Sequence, residues 1–171
     1  MTEKTPSTPR CAAFVGSYLS GKTTLLESIL LATGAINRKG NITEGNTVGD
    51  SGAESRARQM STEINVASTE YLGDEWTFID CPGSVELAQE SFNAVMVADI
   101  TVVVCEPDGD KAQALAPLLH SLDELGIPHM LFVNKIDKAT ITVPEDYTGD
   151  IMGDLNGRRG RILWMNPVGR K

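Results

Sequence analysis

The sequence predicts a layered α/β domain built on a mostly parallel sheet. Three observations carry that prediction. Short apolar runs (CAAFV at 11–15, DITVVVCE at 99–106 and PHMLFVN at 128–134) have the makeup of parallel strands buried on both faces. Between them lie stretches whose apolar residues recur at helical spacing. Strand and helix signals then alternate along the chain, the pattern of α/β architecture.

The first ten residues, MTEKTPSTPR, are polar and rich in Pro and Thr, and read as a disordered arm. CAAFV follows as a strand ending at Gly16. In KTTLLESILLATG, Leu25, Leu26, Ile29 and Leu30 fall on one helical face, and Gly34 supplies a stop. From Ala35 to about Met60 the chain is polar and patternless, with Gly40, Gly45, Gly49 and Gly52. This reads as a long mobile loop, and loops of that length inside a compact domain are usually functional. Ile64, Val66, Trp76 and Phe78 alternate about a turn at Gly73-Asp74, which predicts a β-hairpin. VELAQESFNAVMVA predicts a helix and DITVVVCE a strand. Lys111 to Leu125 predicts one helix ended by Gly126, and PHMLFVN a last strand. There is no internal repeat.

With 171 residues, 41% hydrophobic and 22% charged, the chain suits one globular domain with a real core. No apolar run approaches a membrane span and no signal peptide opens the chain, so a cytoplasmic location is expected. Residues Ile151–Lys171 carry five basic residues against the single Asp154, a net of +4. That leaves −12 on the rest of a chain whose total is −8. An acidic body argues against DNA or broad nucleic-acid binding; the basic tail is either an RNA contact or a solvated charge run. Cys11, Cys81 and Cys105 show no metal or redox spacing. Cys11 and Cys105 read as small buried hydrophobes, and Cys81, in a loop beside Asp80, is not expected to be a nucleophile. His120 and His129 have no companion ligand.

Four loops carry chemistry. GSYLSGKT, Gly16–Thr23, fits G-x-x-x-x-G-K-[ST] and lies between a strand and a helix, the context that phosphate binding requires. Glycines let the backbone wrap a phosphate. Amides around Ser20–Thr23 form an anion nest at a helix N-terminus. Lys22 is placed for the β- and γ-phosphates, and the Thr23 hydroxyl for Mg²⁺. In FIDCPGS, Phe78–Ser84, a strand delivers Asp80 as the acidic partner of that ion, and the Gly83 N–H could meet a γ-phosphate. In NKID, Asn134–Asp137, the Asp137 carboxylate can accept from guanine N1–H and N2–H₂, a donor pair adenine lacks. Asn134 can tie this loop to the phosphate loop, and the Lys135 stem can lie over the base. In RQMSTEINVAS, a hydroxyl from Ser61 or Thr62 could complete the Mg²⁺ shell; both remain open. The full set expected to hold the nucleotide is Gly16, Ser17, Ser20, Gly21, Lys22, Thr23, Thr24, Asp80, Gly83, Asn134, Lys135 and Asp137, with Thr23, Asp80 and Ser61 on the metal.

Cys11–Lys138 resembles the GTPase domain of bacterial elongation factor G and elongation factor G-like proteins. FVGSYLSGKTTLLESIL, FIDCPGSVE, FNAVMVADITVVV and FVNKIDK carry the resemblance. It implies a P-loop NTPase three-layer fold, GTP/GDP and Mg²⁺ as ligands, and ribosome-stimulated hydrolysis. Three departures qualify it. The family's loop reads Asp-x-Pro-Gly-His, whose His positions the attacking water; here that place is Ser84, so hydrolysis is expected to be slow. The family's switch-loop Thr aligns with Ser61. After Asp137 the helix, strand and Ser-Ala guanine loop of the family are not recognisable. Instead 141–171 resembles the last domain of the same factor, with an apparent seam near Lys138 to Thr140. The expected organisation is an arm at 1–10, a truncated GTPase domain at 11–138 lacking its final strand and helices, and a small αβ fragment at 141–171. The competing expectations are a non-catalytic binding module and an ATP-using P-loop protein; NKID counts against the second.

Overall fold

The computed structural model describes residues 10–50 and 52–138. The expected arm up to Pro9, and the expected C-terminal fragment at 141–171, lie outside the described residues. Arg10, expected in the arm, belongs instead to the first strand. Its backbone pairs with Trp76, its guanidinium lies 5.1 Å from the Trp76 ring centroid and its ion pair with Asp74 is 3.0 Å.

The strands are β1 (Arg10–Val15), β2 (Asn65–Tyr71), β3 (Asp74–Asp80), β4 (Ile100–Cys105) and β5 (His129–Val133). They form one sheet in the order β2-β3-β1-β4-β5. β3, β1, β4 and β5 run parallel, and β2 pairs antiparallel with β3. Alternate side chains of the central strands feed two cores, because successive residues of a strand face opposite sides. Ala12 and Phe14 of β1 meet Leu26 and Leu30 of α1 (Lys22–Ala32) on one face. Ala13 and Val15 meet Ala94 and Val95 of α3 (Ala88–Val95) and Leu122 of α5 (Ala116–Glu124) on the other. The result is the three-layer α/β arrangement that strand–helix alternation predicts.

Several local expectations need correction. The stretch 35–60 is not featureless: it holds a short 3₁₀ turn (Ile42–Glu44) and α2 (Ala53–Arg58). A carboxylate on α1 pins it. Glu27, 1% exposed, accepts from Gly40 N at 2.6 Å and from Val48 N at 2.5 Å. The hairpin turn is Leu72-Gly73, one residue earlier than predicted; both have positive φ, as a two-residue turn demands. The helix expected at 85–98 begins as a 3₁₀ turn, Val85–Leu87, before α3. The single helix expected at 111–125 is two, α4 (Gly109–Ala114) and α5, with Pro117 in the first turn of the second. The expectation of a buried β5 also fails. Met130, Leu131 and Val133 are each about half exposed, because β5 is an edge strand among the described residues. Cys11 is only partly buried, whereas Cys81 and Cys105 are buried; all three are free.

The topology positions the site. β1, β3 and β5 all end at the same carboxyl edge of the sheet. Phe14 pairs with Asp80, and Cys105 with Val133, so the loops after these strands emerge side by side.

Candidate functional site

The phosphate loop turns through Gly16 (φ 140°), Leu19 (φ 59°) and Gly21 (φ 96°) into α1. Gly21 must be glycine on two counts: its φ is left-handed, and a Cβ there would overlap the Asn134 side-chain amide. The Lys22 amine is buried and donates to Gly16 O and Ser17 O, both at 3.1 Å. Burial pulls its pKa down, while the charge of Asp80 pushes it up. The hydroxyls of Ser17 and Ser20 are buried without a partner, and Ser20 is wholly inaccessible. Unpaired buried hydroxyls are costly. Within a loop of this shape, such hydroxyls suit the oxygens of a bound phosphate. Thr24 is exposed and, with Leu19, Arg38, Asn41 and Gln59, lines a cleft of about 700 Å³ beside the loop.

The first turn of α1 sets Thr23 against the end of β3. Thr23 Oγ1 donates to Asp80 Oδ2 at 2.6 Å and lies 3.2 Å from Ser61 Oγ. Asp80 is fully buried, and its other oxygen has no partner. Burial pushes the Asp80 carboxyl up to about 6; the Thr23 hydrogen bond and the Lys22 charge act against that, and the nearby Asp50 adds to it. Of the two hydroxyls left open, Ser61 reaches Thr23, whereas Thr62 pairs with Ser55 at 2.8 Å. Among the described residues no group of three His, Cys, Asp or Glu side chains could hold a metal. A divalent ion here would rest on mixed hydroxyl and carboxylate oxygens, the donor set that Mg²⁺ accepts. The unpartnered oxygen of Asp80 fits that chemistry.

Gly83 lies over Lys22: a Cβ at this position would crowd the Lys22 amine and come 2.9 Å from Ser17 O. Ser84, half-buried, donates to Glu86 Oε2 at 3.3 Å. The Cys81 thiol is pushed up to about 12 by burial and the Asp80 charge, so it stays protonated at neutral pH.

In the loop after β5, Asn134 Nδ2 donates to Ser20 O at 2.9 Å, and Asn134 Oδ1 accepts from Lys135 N at 2.9 Å. Lys135 sits in the left-handed region (φ 54°), and its amine donates to Leu19 O at 2.6 Å. Asp137 is exposed in the short 3₁₀ turn that follows.

Three residues belong to this neighbourhood that sequence patterns do not single out. Asp50, 4% exposed, has one unpartnered oxygen and faces the Asp80 charge. Glu27 pins the loop that carries Asp50. Glu106 bonds the Lys135 amine at 2.8 Å. A charged residue among the apolar positions of α1 was a usable signal for Glu27. Asp50 and Glu106 sit in loops where acids are common, and nothing local distinguishes them.

A mostly parallel sheet with a glycine loop feeding α1, and an acid at the end of the neighbouring strand, defines a P-loop NTPase-type nucleotide-binding domain. The family model for the elongation factor Tu GTP binding domain matches residues 8–157. The chain belongs to that family of translational GTPase-type domains. It is 50% identical over 139 residues to an elongation factor G-like protein of Synechocystis, covering 81% of this chain and 21% of that protein. It is 34% identical over 123 residues to the tetracycline resistance protein TetW of Butyrivibrio fibrisolvens, covering 71% and 19%. A crystal structure from Thermus thermophilus superposes with a TM-score of 0.69 at 29% identity, covering 88% of this chain and 22% of that one. The chain spans about a fifth of the length of the curated relatives it matches. No helix among the described residues is long and apolar enough to cross a membrane.

Proposed function

We propose that this chain binds GTP and GDP with Mg²⁺ and works as a slow guanine-nucleotide switch whose partner is the ribosome. Gly16, Ser17, Ser20, Gly21, Lys22, Thr23 and Thr24 hold the phosphates. Asn134, Lys135 and Asp137 hold the guanine. Thr23, Asp80 and Ser61 hold the metal, with Asp50 beside them. Bound Mg²⁺ would neutralise charge on the β- and γ-phosphate oxygens. The observation that carries the proposal is the meeting of Thr23, Asp80 and Ser61 within 2.6–3.2 Å at the foot of the phosphate loop. The Gly83 backbone, packed over Lys22, is placed to sense the end of a triphosphate.

Turnover is the weak link for a physical reason. A serine hydroxyl neither takes up nor releases a proton near neutral pH as an imidazole does, and Ser84 Oγ donates to Glu86. That contact favours a second reading, nucleotide binding without hydrolysis. Ribosome engagement rests on the family and on the likeness to an elongation factor G-like protein.

Titration with fluorescent GDP, GTP and ATP analogues, with and without Mg²⁺, tests the binding claim. Guanine-selective, Mg²⁺-strengthened binding is expected; adenine preference, or no binding by folded protein, overturns it. Phosphate release from GTP with and without ribosomes separates the two readings. Stimulated release supports the switch with turnover, and none supports binding alone.

A further inference from the structure

We infer that Glu106 is a positioning residue for guanine recognition, a carboxylate that holds the Lys135 side chain in place before the base arrives. The inference rests on the assignment of Lys135 to the guanine site. Glu106 directly follows β4, and its side chain is only 11% exposed, although both its partners are far more open. One oxygen accepts from the Lys135 amine at 2.8 Å and the other from the Lys111 amine at 2.7 Å. The Lys135 amine also donates to Leu19 O of the phosphate loop.

Lys135 is therefore fixed at both ends. Its backbone N–H is tied to Asn134, and its ammonium is shared between a carbonyl and a carboxylate. A lysine stem has four rotatable bonds, and ordering it against a flat ring costs entropy at the moment of binding. A stem already stretched across the loop avoids that cost, which is preorganisation. A lone carbonyl would hold an ammonium less firmly than a carboxylate, because only the carboxylate adds the attraction of a full opposite charge.

The second lysine explains why Glu106 stays in place. Asp108 caps α4, its carboxylate accepting from Asp110 N and Lys111 N, so Lys111 starts from a fixed backbone. A line of contacts runs from the α4 cap through Lys111 and Glu106 to Lys135. It couples the loop after β4 to the loops after β1 and β5.

The test uses the full chain and the release of fluorescent GDP chased by excess GDP. Four proteins are compared: wild type, Glu106→Gln, Lys135→Met and the double variant. Glu106→Gln keeps the shape and removes the charge, and release is expected to be about tenfold faster. Lys135→Met should also speed release. The double variant should match Lys135→Met alone, because Glu106 acts only through Lys135. If Lys135→Met is fast but Glu106→Gln stays within about twofold of wild type, the role of Glu106 falls and the guanine site stands. If Lys135→Met is unchanged, the assignment of Lys135 fails and the inference fails with it. Additive effects in the double variant would also overturn it, since Glu106 would then act elsewhere. Should Glu106→Gln not fold, Lys111→Met is read in its place, with a smaller acceleration expected and none overturning the inference.

Discussion

Asn134 Nδ2 donates to Ser20 O across 114 positions of sequence, at 2.9 Å. This bond ties the loop after β5 to the loop after β1, the two loops that the proposed function assigns to the base and the phosphates. The Ser20 carbonyl lies in a wholly buried residue, and losing its donor leaves a polar group without water.

Asn134→Ala should therefore lower stability by about 1–3 kcal/mol. It should also weaken GDP more than inorganic pyrophosphate, because only the nucleotide spans both loops. Urea denaturation and paired titrations check this; equal weakening of both ligands would show that the bond serves the phosphate loop alone.

Ser61 and Thr62 are neighbours with opposite assignments. Ser61→Ala removes the hydroxyl 3.2 Å from Thr23 Oγ1 and should raise the Mg²⁺ concentration needed for GTP binding several-fold, roughly the loss of one hydrogen bond. Thr62→Ala removes a bond to Ser55 and should cost about 1 kcal/mol of stability with the Mg²⁺ requirement unchanged. Magnesium titrations of the two variants, side by side, decide the assignment; the reverse pattern would move the metal contact to Thr62.

Asp137 is exposed, so a substitution there tests recognition with little effect on folding. Asp137→Asn exchanges a double acceptor for a donor and an acceptor, which matches xanthine better than guanine. GDP affinity should fall on the order of 100-fold, the worth of one charge-assisted hydrogen bond lost, while xanthosine diphosphate gains. Competition binding reads the ratio, and undiminished guanine preference would remove Asp137 from the base site.

Glu106 gives a pH prediction. Hydrogen bonds from Lys111 and then Lys135 hold its carboxyl below its ordinary value of 4.5. A folded-state value below the unfolded one means that the folded chain binds its proton less readily. The resulting stability is fully present above about pH 4.5 and is lost as pH falls through the depressed value. The stability difference between wild type and Glu106→Gln should thus be constant near neutrality and shrink in acid. Urea denaturation at several pH values measures it, and a gap that persists undiminished to the lowest accessible pH would contradict the ion pairs.

What the sequence determined by itself was whatever depends on neighbours along the chain. Glycines at 16 and 21, with Lys22 and Thr23 between a strand and a helix, dictate a phosphate loop because backbone freedom and helix onset are local properties. The alternation of apolar runs and helical stripes likewise dictates a layered sheet, since each element must bury one face. Only the tertiary structure decided which separated groups meet. It placed Ser61 rather than Thr62 against Thr23, since the Thr62 hydroxyl is taken by Ser55 of α2. It brought Asp50 beside Asp80 through a loop that Glu27 pins from α1, and it set Glu106 between two lysines from different elements. These contacts join residues tens of positions apart, where no periodicity links the partners, and they exist only once the sheet has laid its strand ends side by side.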